Sequence, residues 1–498
     1  MNQKTVLLIG LTLFIGLIIF SLTPGKIASN TIKTTEQGSS AYYENSSFGF
    51  HTSLIKDEFP PYKSAQDLGI KWERPGLYAF WFLVQPTQAD IDYGIYYWEK
   101  LDEQYKRIPD GLNILGNIAI EPHKEESNIH SFPQSFLPRG EQKYRKFVKK
   151  LIDRYDGDGK NDMPDLSNPI KYWQVDNEPP AGKRDYAQFL KITYQAIKEQ
   201  NPQIKVLIGG VPGFPETYLL NFELNYKPIL KELNGYGFDI FDFHWYGNAT
   251  GDYKKMEEVY HIIRQELINN KFSNPEIWIT EMGSYSGKPK YLPFQNEQQQ
   301  ALDLIKRYIF SVAIGIKKIF WAWGLREGFK YNNGYFDHTG LIYDGKFEDD
   351  MGRNVKKLAY YTYKLMVEKL EGSDWDNIET IIDGIDNVYA YKFTRLDSPE
   401  HLTGVTKKDT GKPVYVAWWD YFDDIGSNKT ITFDVDFGGY ALITNAVPYA
   451  ESGAFLYEND YPNFFETEIK PVINGKLSIT LGKKPVLIER AKKGNKRR

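Results

Sequence analysis

The chain has 498 residues, 61 basic against 65 acidic side chains, a formal net charge of -4 and no cysteine. Disulfides, thiolate metal sites and cysteine nucleophiles are therefore excluded. The balanced charge gives neither the basic footprint of a nucleic-acid binder nor an acidic solvating chain, and with 7 histidines and no His-Glu-x-x-His run a metalloprotease is disfavoured.

In chain order, Lys4 precedes an apolar run from Val6 to Phe20 in which Thr12 is the only polar residue. No charge interrupts the run, and a polar stretch rich in Ser and Thr follows it, which disfavours a buried core helix. Residues 1–22 read as a signal peptide or a membrane anchor. No clear small-residue cleavage site stands out, which favours a retained anchor; Lys4 would then lie in the cytoplasm and the rest outside. The expected location is extracellular or at the cell surface. Residues 23–41 read as a linker.

Between residues 42 and 370 short apolar runs alternate with amphipathic helical stretches, as in βα units. The strand candidates are Phe48–Ile55, Gly69–Arg74, Leu112–Ala119, Ile170–Val175, Lys205–Gly209, Asp239–His244, Glu276–Glu281 and Lys318–Trp323. The stretch Gly140–Tyr155 places Tyr144, Phe147, Val148, Leu151 and Ile152 at helical spacing. Eight such units predict a (β/α)8 TIM barrel. No Gly-x-Gly-x-x-Gly follows the first strand, so no dinucleotide site is indicated. From 371 to 491 the pattern switches to alternation between turns, which predicts an antiparallel β-sandwich of about seven strands. Residues 492–498 form a basic tail.

The strongest chemical signal is a pair of strand-end glutamates, Glu178 in YWQVDNEPP and Glu281 in IWITEMGSYS. Barrels build their sites at the carboxyl ends of the strands, so the fourth and seventh strands bring both into one cleft. Glycoside hydrolysis needs one carboxyl group to protonate the leaving oxygen and another to attack or to activate water. Glu178 alone, a strand-end glutamate next to Pro179, could instead cap the following helix.

On these motifs, Asn177-Glu178-Pro179 and Thr280-Glu281 after Ile277-Trp278-Ile279, the sequence resembles clan A of the glycoside hydrolases over roughly residues 46 to 370. Its second domain is similar to the accessory domains of families 39, 30 and 5. The resemblance implies a retaining glycosidase that cleaves O-glycosidic, expectedly β-linked, bonds of oligo- or polysaccharides by double displacement. Glu178 would be acid/base and Glu281 nucleophile. It further implies that Asn177 binds the sugar 2-hydroxyl, Arg74 keeps Glu281 ionised, Tyr246 beside His244 hydrogen-bonds Glu281, and Trp323 floors the cleaved subsite. His123, after the third strand, and Glu327, after the eighth, could also line the cleft. The alternative is a non-catalytic carbohydrate-binding or scaffold protein on the same barrel. No cofactor is expected for catalysis.

Two further motifs carry weaker readings. Asp156, Asp158 and Asp162, interleaved with glycines, could wrap a structural calcium or form an acidic solvated loop. Gly209-Gly210-Val211-Pro212-Gly213 lacks the Gly-Lys-Ser/Thr ending of a phosphate cradle and reads as a barrel-top turn.

Overall fold

The computed structural model describes residues 44–52, 61–119, 140–179, 185–396, 411–422 and 428–492. The apolar run Val6–Phe20, the linker 23–41, His123 and residues 493–498 of the basic tail lie outside the described residues. Among the described residues no helix is long and apolar enough to cross a membrane.

Eight parallel strands form a closed ring: β1 (Phe48–His51), β2 (Trp72–Arg74), β3 (Asn113–Ala119), β4 (Tyr172–Val175), β5 (Lys205–Ile208), β6 (Ile240–Tyr246), β7 (Glu276–Gly283) and β8 (Ile319–Trp321). β1 pairs with β2 and β8, neighbours follow in order, and β2 pairs with β3 to complete the circle. A two-residue strand, Ala79–Phe80, adds to the end of β3 and was not anticipated from the sequence. The helices following the strands are α1 (Pro61–Leu68), α2 (Glu99–Lys106), α3 (Glu141–Tyr155), α4 (Tyr186–Gln200), α5 (Lys227–Leu233), α6 (Lys255–Asn269), α7 (Glu297–Ala313) and α8 (Leu358–Leu370). On α3, Tyr144, Phe147, Val148, Leu151 and Ile152 are all buried, the stripe the 3-4 spacing predicts.

Side chains of alternate strand residues face opposite sides. Trp72, Leu115, Leu207, Ile240, Trp278 and Phe320 form an apolar cluster of their own, with Tyr172 against it. Trp72 meets Tyr172 and Trp278 edge-on, with ring centroids 5.0 and 5.2 Å apart. These residues come from seven of the eight strands and plug the lower lumen. Two residues further along stand Arg74, Asn117, Gln174, Asp242 and Thr280, all buried. The intervening Phe241, Phe243, Trp245, Ile277 and Ile279 join the main core. The lumen is thus an apolar plug topped by a polar layer at the carboxyl ends of the strands.

The β domain holds β9 (Glu379–Ile385), β10 (Val388–Thr394), β11 (Pro413–Trp419), β12 (Lys429–Asp434), β13 (Gly439–Asn445), β14 (Thr467–Val472), β15 (Lys476–Leu481) and β16 (Val486–Arg490). Six form an antiparallel sheet in the order β9-β10-β11-β16-β13-β14, and β12 pairs with β15. Val388, Ala390, Ala417 and Ile488 share one apolar cluster with Phe433, Leu477 and Ile479 of the β12–β15 ribbon. Residues of the opposite alternation on the same strands, Tyr391, Phe393, Val414, Val416, Trp418 and Leu487, belong to the barrel's own core cluster. At this junction Trp418 Nε1 donates to Tyr253 Oη at 3.1 Å, and Tyr253 donates to Asp420 at 2.6 Å. One buried carboxylate, Glu297 at the start of α7, accepts from Tyr343 and the Leu358 N–H of the barrel. It accepts as well from Ser452 Oγ and the Gly453 N–H, which follow β13.

Candidate active site

The site stands on the polar layer, and Arg74 is its keystone. Its guanidinium is fully buried and donates in three directions: Nε to Gln174 Oε1 at 2.9 Å, Nη1 to Glu281 Oε1 at 2.7 Å and Nη2 to Asn177 Oδ1 at 2.6 Å. A planar fork suits this task and a lysine ammonium does not. Gln174 spans onward, donating to Asp242 Oδ2 at 2.5 Å. Asp242 also accepts from the Thr280 backbone N–H at 3.0 Å and from Thr280 Oγ1 at 2.7 Å. Burial holds the Asp242 carboxyl well above the usual carboxylate range.

Glu281 reaches the lumen through a β-bulge. Along β6 and β7 the register runs Phe243 to Ile279 and then His244 to Glu281, passing over Thr280. Strict alternation would put Thr280 inside and Glu281 outside. The extra residue lets both face the lumen, while Met282 returns to the outer core. Glu281 is 1% exposed, with Arg74 on Oε1 and the Tyr246 hydroxyl donating to Oε2 at 2.7 Å.

Glu178 follows β4 on a turn in which Asp176 and Glu178 have φ of +67° and +45°. Such values are uncommon for non-glycine residues and recur where a side chain is held for function. Glu178 Oε1 lies 2.7 Å from His244 Nδ1, which is also 3.3 Å from Glu281 Oε2. One carboxylate oxygen of each glutamate lies within 4.8 Å of the other. Burial pushes the Glu178 carboxyl up to about 7, against the opposing pull of Arg74 and Lys330. Burial also takes His244 down to about 4, so its imidazole is neutral near neutral pH. Gly210 makes room for that ring: a Cβ there would lie 2.2 Å from His244 Nε2. The glycine-rich segment is therefore a barrel-top turn fitted around His244.

The structure brings together Arg74, Asn177, Glu178, His244, Tyr246 and Glu281. His244 and Tyr246 lie within β6, which runs to Tyr246 rather than ending at His244. Trp323 is half-buried, stacks on Phe329 at 4.4 Å and lies 4.2 Å, ring to ring, from His51. Glu327 is fully buried against Lys357 and does not line the cleft. Trp321 is core, donating from Nε1 to Thr339 O at 2.8 Å.

Several residues escaped sequence reasoning. His51, ending β1, places Nε2 3.8 Å from Glu281 Oε1, and burial holds its pKa well below the ordinary value. Gln174, Asp242 and Thr280 form the support beneath the glutamates. Phe214 and Phe336 flank the Tyr246 ring at 5.8 and 4.9 Å. Strand alternation was a usable signal for Gln174 and Asp242, since each sits two residues beyond an apolar plug position.

Glu178, His244 and Glu281 could in principle share a metal ion. The Arg74 cation at 2.7 Å from Glu281 opposes that by charge repulsion. Asp156, Asp158 and Asp162 do converge. Their oxygens, however, accept from the loop's own N–H groups: Gly157 and Gly159 to Asp162 at 3.0 and 2.7 Å, Lys160 to Asp158 at 2.7 Å. Asp156 accepts from Asn201 at 2.8 Å. A cation there would have to share these oxygens.

Fold and site together define a (β/α)8 barrel with paired carboxylates at its carboxyl-terminal mouth and an attached antiparallel β domain. That fold is shared with a family 39 glycoside hydrolase from Bacteroides cellulosilyticus WH2, at TM-score 0.56, 18% identity, 88% of this chain and 80% of that one. It is shared also with a glucosidase from Croceicoccus marinus, at TM-score 0.54, 14% identity, 90% of this chain and 97% of that one. Among curated proteins, the chloroplastic 4-hydroxy-7-methoxy-3-oxo-3,4-dihydro-2H-1,4-benzoxazin-2-yl glucoside beta-D-glucosidase of Secale cereale is 32% identical over 105 residues, 20% of this chain. Those residues span only 18% of that relative's length. No family model matches the chain.

Proposed function

We propose that the protein is a retaining glycoside hydrolase acting on β-linked sugars, with Glu281 as nucleophile and Glu178 as acid/base. The observation that carries this reading is the carboxyl pair itself, with oxygens within 4.8 Å of each other and unlike environments. Retaining enzymes hold their carboxyl groups about 5–5.5 Å apart, whereas inverting ones need about 6.5–9.5 Å to admit a water. Glu281 is ion-paired and hydrogen-bonded on both oxygens, as suits a nucleophile held in one orientation. Glu178, pushed up to about 7, still carries its proton below neutrality, as suits an acid.

In the first step Glu281 attacks the anomeric carbon as the glycosidic C–O bond breaks, and Glu178 gives its proton to the departing oxygen. The ester removes the charge of Glu281. Glu178, now ionised, takes a proton from water, whose oxygen attacks the anomeric carbon and displaces Glu281. His244 accommodates both states of Glu178. With Glu178 protonated, its O–H donates to Nδ1, and Nε2–H donates to Thr280 Oγ1 at 3.2 Å. With Glu178 ionised, Nδ1–H donates to it. Asn177, its oxygen held by Arg74, turns its amide hydrogens to the sugar 2-hydroxyl. Trp323 supplies the apolar floor on which the ring stacks. Carbohydrate is thus the partner, and the Val6–Phe20 run carries the enzyme out of the cytoplasm, as a cleaved signal or as an anchor.

The test is proton NMR of the first-formed anomer released from an aryl β-glycoside. The β-anomer is expected; an initial α-anomer would refute the double-displacement assignment.

A further inference from the structure

Behind the cleft, the long connection from β8 to α8 carries a second acidic group. Glu327, Asp344 and Asp350 each contribute one carboxylate oxygen to a set lying within 4.8 Å of one another. Glu327 and Asp344 are 0% and 1% exposed. Each carboxylate has one oxygen engaged by the protein. Glu327 Oε1 accepts from Lys357 Nζ, Asp344 Oδ1 from the Lys346 N–H at 3.0 Å, and Asp350 Oδ2 from the Lys346 and Phe347 N–H groups at 2.9 and 3.2 Å. The other oxygen of each, Glu327 Oε2, Asp344 Oδ2 and Asp350 Oδ1, is shielded from water and has no hydrogen-bond partner.

This differs in kind from the Asp156–Asp162 loop, whose oxygens are taken up by backbone N–H groups. An unpartnered buried carboxylate oxygen is costly, and three in one place repel one another unless a proton or a cation stands between them, Asp350 lying within hydrogen-bond reach of both Glu327 and Asp344. Lys357, itself 0% exposed, supplies a single charge and occupies only Oε1 of Glu327. Three carboxylates outnumber Lys357 and the Lys346 charge that acts on Asp344, which leaves negative charge for a cation to complement. The donors are all carboxylate oxygens, with no thiolate and no imidazole among them, which selects a hard cation. Gly328, at φ +94°, has no Cβ to crowd Asp344 Oδ2, which would lie 2.6 Å from one, just behind the Tyr331 ring at 2.5 Å.

We propose that Glu327, Asp344 and Asp350 bind one divalent hard cation of the calcium or magnesium class, which pins the β8–α8 connection. That connection carries Phe329, the stacking partner of Trp323, and Lys330, whose charge acts on Glu178. The ion would therefore brace the cleft wall without touching the reacting atoms, and the inference does not depend on the catalytic reading.

The experiment uses the full chain, stripped with chelator and dialysed, then titrated calorimetrically with calcium chloride and separately with magnesium chloride. Wild type should bind one ion per chain and melt several degrees higher when loaded. Asp344→Asn and the less buried Asp350→Asn should each weaken binding roughly ten-fold or more, while Asp158→Asn leaves it unchanged. If Asp344→Asn fails to fold, Asp350→Asn and the wild-type titration still decide. No saturable uptake of either ion up to about 10 mM would overturn the proposal. So would uptake lost in Asp158→Asn but retained in Asp344→Asn and Asp350→Asn, which would put the ion in the other loop.

Discussion

Replacing Glu178 by glutamine removes its titration while keeping its shape, and the structure gives the expected size and sign of the effect. Burial raises the Glu178 carboxyl from 4.5 to about 7, and its side chain is only 20% exposed. A shift of that size corresponds to about 3 kcal/mol between the protonated and ionised folded states. Between the unfolded and the folded pKa the native protein holds a proton that the unfolded chain has lost. Wild-type stability therefore falls as pH rises from about 4.5 through about 7, and the full cost is present above that window. Glu178→Gln escapes the cost. It should melt several degrees above wild type at about pH 8 and close to wild type at about pH 5. The same titration governs the first chemical step. Wild-type kcat/KM on glycosides with poor leaving groups should decline through a basic limb near 7, while residual turnover of activated aryl glycosides by Glu178→Gln should lack that limb. His244 does not confuse the reading, because at about 4 it stays neutral across the window. An equal melting difference at both pH values, or a wild-type profile flat to about pH 9, would refute the reasoning.

Tyr246→Phe removes the 2.7 Å bond to Glu281 Oε2; a hydrogen bond to a charged group contributes about 1.5–3 kcal/mol. Steady-state kinetics should show kcat lower by roughly ten- to a hundred-fold, at unchanged circular dichroism. Arg74→Lys cannot reproduce three divergent bonds and should cost roughly a hundred-fold or more in kcat/KM, even at the same charge. Glu297→Ala strands donors from both domains in a buried place, so urea unfolding should show a loss of about 3 kcal/mol. In the Asp156–Asp162 loop the oxygens are already engaged by the loop's own N–H groups, so Asp158→Asn should shift the melting temperature equally in calcium and in chelator; a loss seen in calcium alone would put an ion in that loop.

The eight ring strands announced themselves because they carry apolar residues between helices of clear 3.6 periodicity, whereas Ala79–Phe80 is too short to show a pattern. The β domain was less legible at its margins. β9 and β14 show little alternation, and they are the two edges of the six-stranded sheet. Neither contains a buried residue: ETIIDGI and TEIKPV stay exposed or half-exposed along their lengths. An edge strand with little to bury has little alternation to show, and its pairing is set by its neighbour rather than by its own sequence. His51 was missed for another reason. β1 is short, and nothing in FGFH distinguishes a histidine aimed at Glu281 from one satisfied by its own backbone.

Gln174 and Asp242 went unremarked, and Thr280 was named only as part of the Thr280-Glu281 motif, because the motifs point to side chains able to act on a substrate, and these act on other side chains. Their signature is nonetheless regular. Trp72, Tyr172, Ile240 and Trp278 belong to the lumen plug, and Arg74, Gln174, Asp242 and Thr280 each follow two residues later. A polar residue two places beyond a plug residue must lie in the same closed lumen, where it needs partners from other strands. Arg74 makes the demand explicit, because a buried guanidinium requires several acceptors, and Gln174, Asn177 and Glu281 are those acceptors. The bulge in β7 follows from the same logic. On strict alternation Glu281 would point outward beside Ile277 and Ile279, a carboxylate without a partner in an apolar layer. Such a placement costs far more than one irregular residue in a ladder. The pull of Arg74 from inside and the apolar layer outside both favour the register that passes over Thr280, and that register delivers the carboxylate to the cleft.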